Sequence, residues 1–122
     1  MGFKGKSTGE TGEKIACSYL EAQGYEIIIK NYKCRIGEID VIARDRDVLC
    51  FIEVKTRRNN SYGPPYLAVT RNKQKQISLV ALNFIANRSD SFSGFRFDVV
   101  SINRVNGKNE IELYKGAFDG TI

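Results

Sequence analysis

The chain contains no histidine and no tryptophan, and it has only two prolines and three cysteines among its 122 residues. The absence of histidine excludes Ser-His-Asp and Cys-His nucleophile pairs, histidine-ligated zinc and haem, and any imidazole general base. Acid–base chemistry must therefore be done by carboxylates, lysine, tyrosine or water.

The cysteines are few, odd in number and widely spaced, and they never form a C-x-x-C motif; they are Cys17, Cys34 and Cys50. This pattern fits neither a disulfide framework nor a zinc knuckle, and it is typical of reduced thiols in the cytosol.

The first 14 residues contain no apolar run, and the longest apolar stretch, residues 77–86, is far shorter than the ~20 residues of a bilayer span. We therefore expect a soluble, cytoplasmic protein without a membrane partner. Domains run to ~100–200 residues, so we also expect one domain over residues 1–122.

Positive charge is concentrated in one part of the chain. Residues 54–89 contain seven Lys or Arg and no Asp or Glu, so the remaining residues hold 12 basic against 14 acidic side chains. Such a segment is typical of a surface that binds phosphate backbones, and it is equally compatible with a solvated face on a basic protein. The side chains that we predict to bind nucleic acid are Arg57, Arg58, Arg71, Lys73, Gln74 and Lys75.

Apolar periodicity and turn residues predict an α/β protein with a mixed central sheet and helices packed on it. The predicted helices run from a Thr11 cap to about Gln23 and from a Thr70 cap to about Asn87. The predicted strands are Glu26 to Asn31, Glu38 to Arg44, Val48 to Lys55, Phe95 to Ile102 and Glu110 to Lys115. Residues 56–68 contain Gly63-Pro64-Pro65 and are predicted to be a loop, which could control access of a substrate.

The second and third strands bring three charged side chains together. If Arg46-Asp47 is a two-residue loop, Asp40 lies directly opposite Glu53, with Cβ atoms roughly 4.5–5.5 Å apart, and Lys55 joins the same face. A three-residue loop would instead place the two carboxylates on different faces. Two carboxylates held so close repel each other unless a cation or a proton lies between them.

Oxygen ligands of this kind suit a hard ion such as Mg²⁺ or Mn²⁺, and phosphodiester hydrolysis is the natural reaction for such a site. Lys55 would orient the attacking water or stabilise charge that develops at phosphorus. The alternative is structural: a buried salt bridge between Lys55 and one acid, which leaves the second acid unexplained.

Two helix starts could contribute further residues. Glu13 precedes Ala16 and Leu20 at helical spacing, so it could support the ion, although an acid in a first helical turn also stabilises the helix dipole. Lys73 and Gln74 stand at the start of the second helix, where phosphate binds well; a solvated first turn is an equal alternative.

The spacing of Asp40 and Glu53-Val54-Lys55 resembles the PD-(D/E)XK nuclease signature. The wider pattern resembles the YraN-like family of bacterial proteins over nearly the whole chain. The matching segments are Gly12-Glu13 with Ala16 and Tyr19-Leu20, Asn31-Tyr32, Gly37-Glu38-Ile39-Asp40, Phe51-Ile52-Glu53-Val54-Lys55-Thr56-Arg57, Lys73-Gln74 and Arg96-Phe97-Asp98-Val99-Val100. The proline of the general motif is replaced by Ile39, as is usual in these relatives.

The resemblance implies a restriction-endonuclease-like fold similar to that of archaeal Holliday-junction resolvases. It further implies that Glu13, Asp40 and Glu53 bind Mg²⁺ or Mn²⁺ with the carbonyl of Val54, and that Lys55 is catalytic. By this resemblance, Asp40 and Glu53 would serve both in binding the metal ion and in catalysis.

Two functional hypotheses follow. The first is a metal-dependent DNA endonuclease, which by analogy with the resolvases would act on branched or junction DNA. The second is a non-cleaving nucleic-acid-binding adaptor for DNA repair or recombination. The partners that these hypotheses leave open are a second copy of the chain and a helicase or recombination protein.

Overall fold

The computed structural model describes residues 4–57, 69–89 and 91–120, with side chains from residue 11 onward. It contains two helices, α1 (Lys4–Ala22) and α2 (Arg71–Ala86), and five strands. The strands are β1 (Glu26–Lys33), β2 (Glu38–Asp45), β3 (Val48–Arg57), β4 (Gly94–Val105) and β5 (Lys108–Phe118). They form one mixed sheet in the order β1-β2-β3-β4-β5, which is compatible with a restriction-endonuclease-like fold.

The two helices cover opposite faces of this sheet. On β3, Cys50 and Ile52 pack with α1, while Leu49 and Phe51 pack with α2. Neighbouring side chains of a strand point to opposite faces, so β3 is buried on both sides. This explains the nearly continuous apolar run that begins at Val48.

Only β3 and β4 pair in parallel, and α2 lies in the chain between them. The other three neighbouring pairs are antiparallel. Turn chemistry defines the last of these, because Asn106 and Gly107 both have positive φ, 52° and 76°, as a two-residue hairpin turn requires. The predicted Asn-Gly turn is confirmed.

The predicted order of elements is confirmed, whereas one helix start was wrong. α1 begins at Lys4 rather than at a Thr11 cap. The residues before Thr11 are mostly not strong helix formers, but extending an existing helix requires no new nucleation, and this favours the longer element. In α2, by contrast, Thr70 caps the helix as predicted and its side chain accepts a hydrogen bond from the Lys73 amide.

The strand ends also differ from the prediction. β3 continues through Thr56 and Arg57, which were predicted to be loop, because each pairs with a residue of β4. The remainder of the predicted loop, residues 58–68, lies outside the described residues, and its proposed role in substrate access stays a prediction. In the described part of the chain, no helix is long and apolar enough to cross a membrane.

Candidate metal and phosphate site

The β2–β3 hairpin has the register on which the acid pair depends. Asp45 pairs with Val48 across the two-residue turn, and the pairing continues to Val41 and Ile52. The paired residues end there, and the same register continued by one residue would bring Asp40 opposite Glu53. Arg46 adopts a positive φ of 58°, which lets this turn close with a residue pair that is not a common turn sequence.

Asp40 and Glu53 are close enough for their carboxyl groups to affect each other's charge. The pKa of Asp40 is raised to about 7, with burial as the largest cause and the neighbouring Glu53 carboxylate as the second. Glu53 itself is only 7% exposed. A hydrogen bond from the Val54 amide to Asp40 Oδ2, at 2.8 Å, and the positive charge of Lys73 act in the opposite direction. The pair thus concentrates negative charge at a buried point where a cation would relieve the repulsion.

The position of Val54 adds a main-chain oxygen to this set. Its amide points from β3 toward Asp40 on β2. In a strand, the amide and the carbonyl of one residue point to the same side, so the Val54 carbonyl also lies on the β2 side. Two carboxylates and a carbonyl are hard oxygen ligands, and Mg²⁺ typically uses one or two carboxylates together with water and substrate oxygens. The donor set therefore fits a hard divalent ion.

Lys55 lies on the same face as Glu53, as predicted. Its Nζ is 3.4 Å from Glu53 Oε2, and its side chain is 31% exposed. This is longer than the ~2.7–2.9 Å of a close charge-assisted hydrogen bond. The ammonium group is therefore near the acid pair without being tightly bound by it.

Glu13 is positioned by a different contact. Its Oε1 accepts a hydrogen bond from Asn31 Nδ2 at 2.7 Å. Within the described ranges, His, Cys, Asp and Glu side chains form no group of three or more that could hold an ion, so Glu13 is not assembled with Asp40 and Glu53. Its role as a metal ligand stays a prediction.

The start of α2 brings a positive charge near Asp40. Lys73 is close enough to lower the pKa of Asp40, and Gln74 donates from Nε2 to the carbonyl of Val69 at 2.9 Å, which holds the chain that enters the helix. Arg71 and Lys75 are exposed on the same helix. Arg57 ends β3 and is half-buried, whereas Arg58 lies outside the described residues.

A groove beside this site includes a lysine that the sequence analysis missed. It measures about 380 Å³ and is lined by Lys33, Cys34, Gly37, Glu38, Lys73 and Gln76. Lys33 belongs to β1 and is 40 residues from Lys73 in sequence, outside the basic segment at 54–89. Only the antiparallel pairing of β1 with β2 brings it to the site, so charge clustering along the chain gave no signal for it.

A second charged cluster lies on the other face of the sheet. Asp98 is fully buried and accepts hydrogen bonds from Arg96, the Tyr25 hydroxyl and the Gly116 amide. Arg96 also contacts Asp45 at 2.8 Å. This cluster joins β2, β4 and β5 to the segment after α1. Asp98 pairs with Ile52, next to Glu53 along β3, but the cluster lies on the face covered by α1, whereas Glu53 lies on the face covered by α2.

The five-stranded mixed sheet with its two helices is that of an α/β protein, and it is compatible with the restriction-endonuclease-like fold. Comparison with known proteins gives the family. The model of the family described as "Uncharacterised protein family UPF0102" matches residues 12–102, and the chain belongs to that family.

The relatives match along almost the full chain. A UPF0102 protein of Syntrophus aciditrophicus (strain SB) is 49% identical over 113 residues, which cover 92% of this chain and 88% of that protein. A UPF0102 protein of Geobacter metallireducens is 45% identical over 119 residues, which cover 98% of both chains. These names state no reaction, so the activity has to be argued from the site.

Proposed function

We propose that the protein is a divalent-metal-dependent endonuclease that hydrolyses DNA phosphodiesters. The observation that supports this most strongly is the pairing of a buried carboxyl group, Glu53, with a partly buried one, Asp40, on the neighbouring strand, close enough to raise its pKa, with a lysine on the same face. A structural salt bridge needs one acid for Lys55, whereas a second buried acid raises the energy of the site unless a cation or a proton is shared.

The residues divide into three roles. Asp40, Glu53 and the Val54 carbonyl would hold Mg²⁺ or Mn²⁺, and Glu13 would support the ion directly or through water. A bound ion would supply polarisation of the phosphoryl oxygen and a lower pKa for the attacking water. Lys55 would orient that water or stabilise the charge that develops as a phosphorus–oxygen ester bond breaks. Hydrolysis leaves one strand end with a phosphate monoester and the other with a hydroxyl group.

The DNA surface would extend from this site along the start of α2. Lys73 faces the acid pair, and Lys33 lies across the adjoining groove. The remaining residues proposed for phosphate contacts are Arg57, Arg58, Arg71, Gln74 and Lys75. Branched or junction DNA is the substrate form that the similarity to resolvases favours. The same analogy favours a homodimer. A helicase or recombination protein is the partner that the adaptor hypothesis proposes, and the cysteine pattern favours a cytoplasmic location.

The test is cleavage of labelled linear, nicked, flapped and four-way DNA in Mg²⁺ or Mn²⁺. We expect Asp40→Asn and Glu53→Gln to lower the cleavage rate by at least about 100-fold, because even indirect damage to metal ligation costs about 10–100-fold in affinity or activity. Lys55→Ala should also lose cleavage. DNA binding, measured in the same buffer, should stay largely intact in all three variants.

A matched control is Glu26→Gln, which neutralises an exposed glutamate that pairs with Arg44 at the other end of the sheet. This variant should cleave like the wild type, and chelation with EDTA should stop both. Equal metal-dependent cleavage by the wild type and Glu53→Gln would overturn the proposed function.

One observation favours the adaptor as a second candidate. Both acids already have protein partners, since Asp40 accepts from the Val54 amide and Glu53 contacts Lys55. A protein that binds DNA tightly but binds no Mn²⁺ at saturating concentration, and cuts no DNA, would be assigned this adaptor role.

A further inference from the structure

Two buried polar atoms on β4 have no hydrogen-bond partner among the described residues. They are the Ser101 hydroxyl oxygen and the Asn103 side-chain carbonyl oxygen. Ser101 is fully buried and Asn103 is 3% exposed. A buried polar group without a partner is costly and uncommon in native proteins, so each one calls for an explanation.

The parallel register places the Ser101 side chain beside Lys55. β3 and β4 pair without a bulge, with Lys55 opposite Ser101 and Arg57 opposite Asn103. Four paired residues earlier, and so on the same face, Phe51 lies opposite Phe97, and their ring centroids are 5.6 Å apart on the face covered by α2. Ser101 therefore lies on the same face as Lys55, one strand spacing of about 4.8 Å away.

Lys55 would need a new hydrogen-bond acceptor when an ion occupies the acid pair. Its ammonium group is 3.4 Å from Glu53 Oε2 without such an ion. A divalent cation bound by Glu53 would compete for that oxygen and repel the ammonium group. An ammonium group offers three donors and no acceptor, whereas a serine hydroxyl has two acceptor lone pairs.

We propose that Ser101 is a positioning residue whose hydroxyl accepts a hydrogen bond from Lys55 when a divalent ion occupies Asp40 and Glu53. This inference rests on the metal site of the proposed function. It explains why an unpaired hydroxyl is kept at a buried position, since its partner arrives only in the ion-bound state. Ser101 acts through Lys55 and does not touch the reacting phosphate.

The test is a double-mutant cycle that measures Mn²⁺ affinity by isothermal titration calorimetry in the absence of DNA. Ser101→Ala should weaken Mn²⁺ binding about tenfold in the wild-type background, because hydrogen bonds to charged groups are typically worth that much or more. In the Lys55→Met background, the same change should leave the affinity unaltered. Ser101→Thr keeps a hydroxyl and should retain most of the affinity.

Thermal unfolding of the metal-free variants gives a second readout with the opposite sign. Ser101→Ala removes a buried polar group without a partner, so the midpoint temperature of its thermal unfolding should equal or exceed that of the wild type. The control is Ser78→Ala, another buried serine, whose hydroxyl donates to the Gln74 carbonyl within α2. That variant should lower the midpoint and leave Mn²⁺ affinity unchanged.

The outcomes separate this inference from the proposed function. If the wild type binds Mn²⁺ and Ser101→Ala changes the affinity equally in both backgrounds, or in neither, the positioning role is overturned and the metal site stands. If the wild type binds no Mn²⁺, both are overturned. Where cleavage is measured, loss of the Ser101 hydroxyl should lower kcat with little change in KM.

Discussion

Asp98 shows how a single buried charge is stabilised by partners from several elements. Arg96 Nε donates to its Oδ1 at 2.8 Å, the Tyr25 hydroxyl donates to Oδ2 at 2.9 Å, and the Gly116 amide donates to Oδ1 at 2.9 Å. These bonds satisfy the carboxylate without solvent. Burial and the nearby Asp98 carboxylate together raise the pKa of the Tyr25 hydroxyl, which therefore stays protonated as a donor.

Replacing Asp98 should cost far more stability than replacing its more exposed neighbour. Asp98→Ala leaves the Arg96 guanidinium without its buried partner, and breaking a buried pair in this way typically costs about 3–5 kcal/mol. Asp45 contacts the same guanidinium but is 15% exposed, so Asp45→Ala should cost roughly 1 kcal/mol.

Urea denaturation of both variants checks this difference. Equal losses of unfolding free energy in the two variants would mean that the network does not depend on the buried carboxylate. The catalytic assays should be insensitive to Asp45→Ala, since Asp45 lies at the other end of β2 from Asp40.

The sequence predicted the acid pair but not the Arg96–Asp98 cluster, and the reason is distance along the chain. Asp40 and Glu53 belong to one hairpin, so strand alternation and a two-residue turn are enough to bring them together. Arg96 reaches Asp45, 51 residues away, and Tyr25, 71 residues away. Such contacts depend on the parallel pairing and on where α1 packs, which local patterns do not determine.

At the scale of elements, α2 is tied to the turn between β1 and β2 by one side chain. Gln76 Nε2 donates to the Ile36 carbonyl at 2.9 Å, and Gly37 lies directly beneath it. A Cβ atom at Gly37 would be 2.7 Å from that nitrogen and 2.9 Å from the Gln76 side-chain carbonyl carbon. Glycine at this position therefore leaves room for the end of the Gln76 side chain between the helix and the turn.

Gly37→Ala should therefore displace the Gln76 side chain and break its hydrogen bond, at a cost of about 1 kcal/mol. In a Gln76→Ala background the three atoms nearest to the added methyl group are absent, so the same change should cost much less. Chemical denaturation of the four proteins measures this coupling.

The four proteins form a double-mutant cycle. In the Gln76→Ala background the hydrogen bond is absent both with glycine and with alanine at position 37, which controls the comparison. Additive effects of the two changes would contradict the contact. Because Lys73 lies one turn before Gln76, Gly37→Ala should also disturb the groove that joins Lys33 and Lys73.

Element boundaries show where local patterns were sufficient. The Thr70 cap and the Asn106-Gly107 turn were predicted correctly, because a specific hydrogen bond and a specific backbone conformation define each one. The start of α1 was not predicted correctly, since no such signal stops the helix at Thr11 and the preceding residues continue it to Lys4.

At the scale of the whole molecule, the proposed DNA surface should depend on which end of α2 a charge occupies. Lys73 lies beside the acid pair, whereas Arg88 follows the other end of the helix, roughly 20 Å away at 1.5 Å per residue. Arg88 instead lies over the ring of Phe84 at 5.1 Å. Both belong to the same basic segment of the sequence.

Lys73→Ala should weaken DNA binding and reduce the slope of log K against log salt by about 1, the change expected for one lost phosphate contact. Arg88→Ala removes the same formal charge and should leave the slope nearly unchanged. Fluorescence anisotropy across a salt series measures both. Equal changes of slope would indicate a diffuse response to net charge rather than a defined surface.

The parallel pairing of β3 with β4 implies an order in which the site is assembled during folding. Asp40 and Glu53 are joined by a two-residue turn, so they can meet after closure of a very short loop. Ser101 reaches Lys55 only when residues 46 positions apart along the chain have paired around α2. Longer loops cost more entropy to close and slow the formation of non-local contacts. The nascent hairpin can thus acquire its two acids early, while the lysine gains its neighbour late, so the geometry proposed for catalysis is completed only in the fully folded chain.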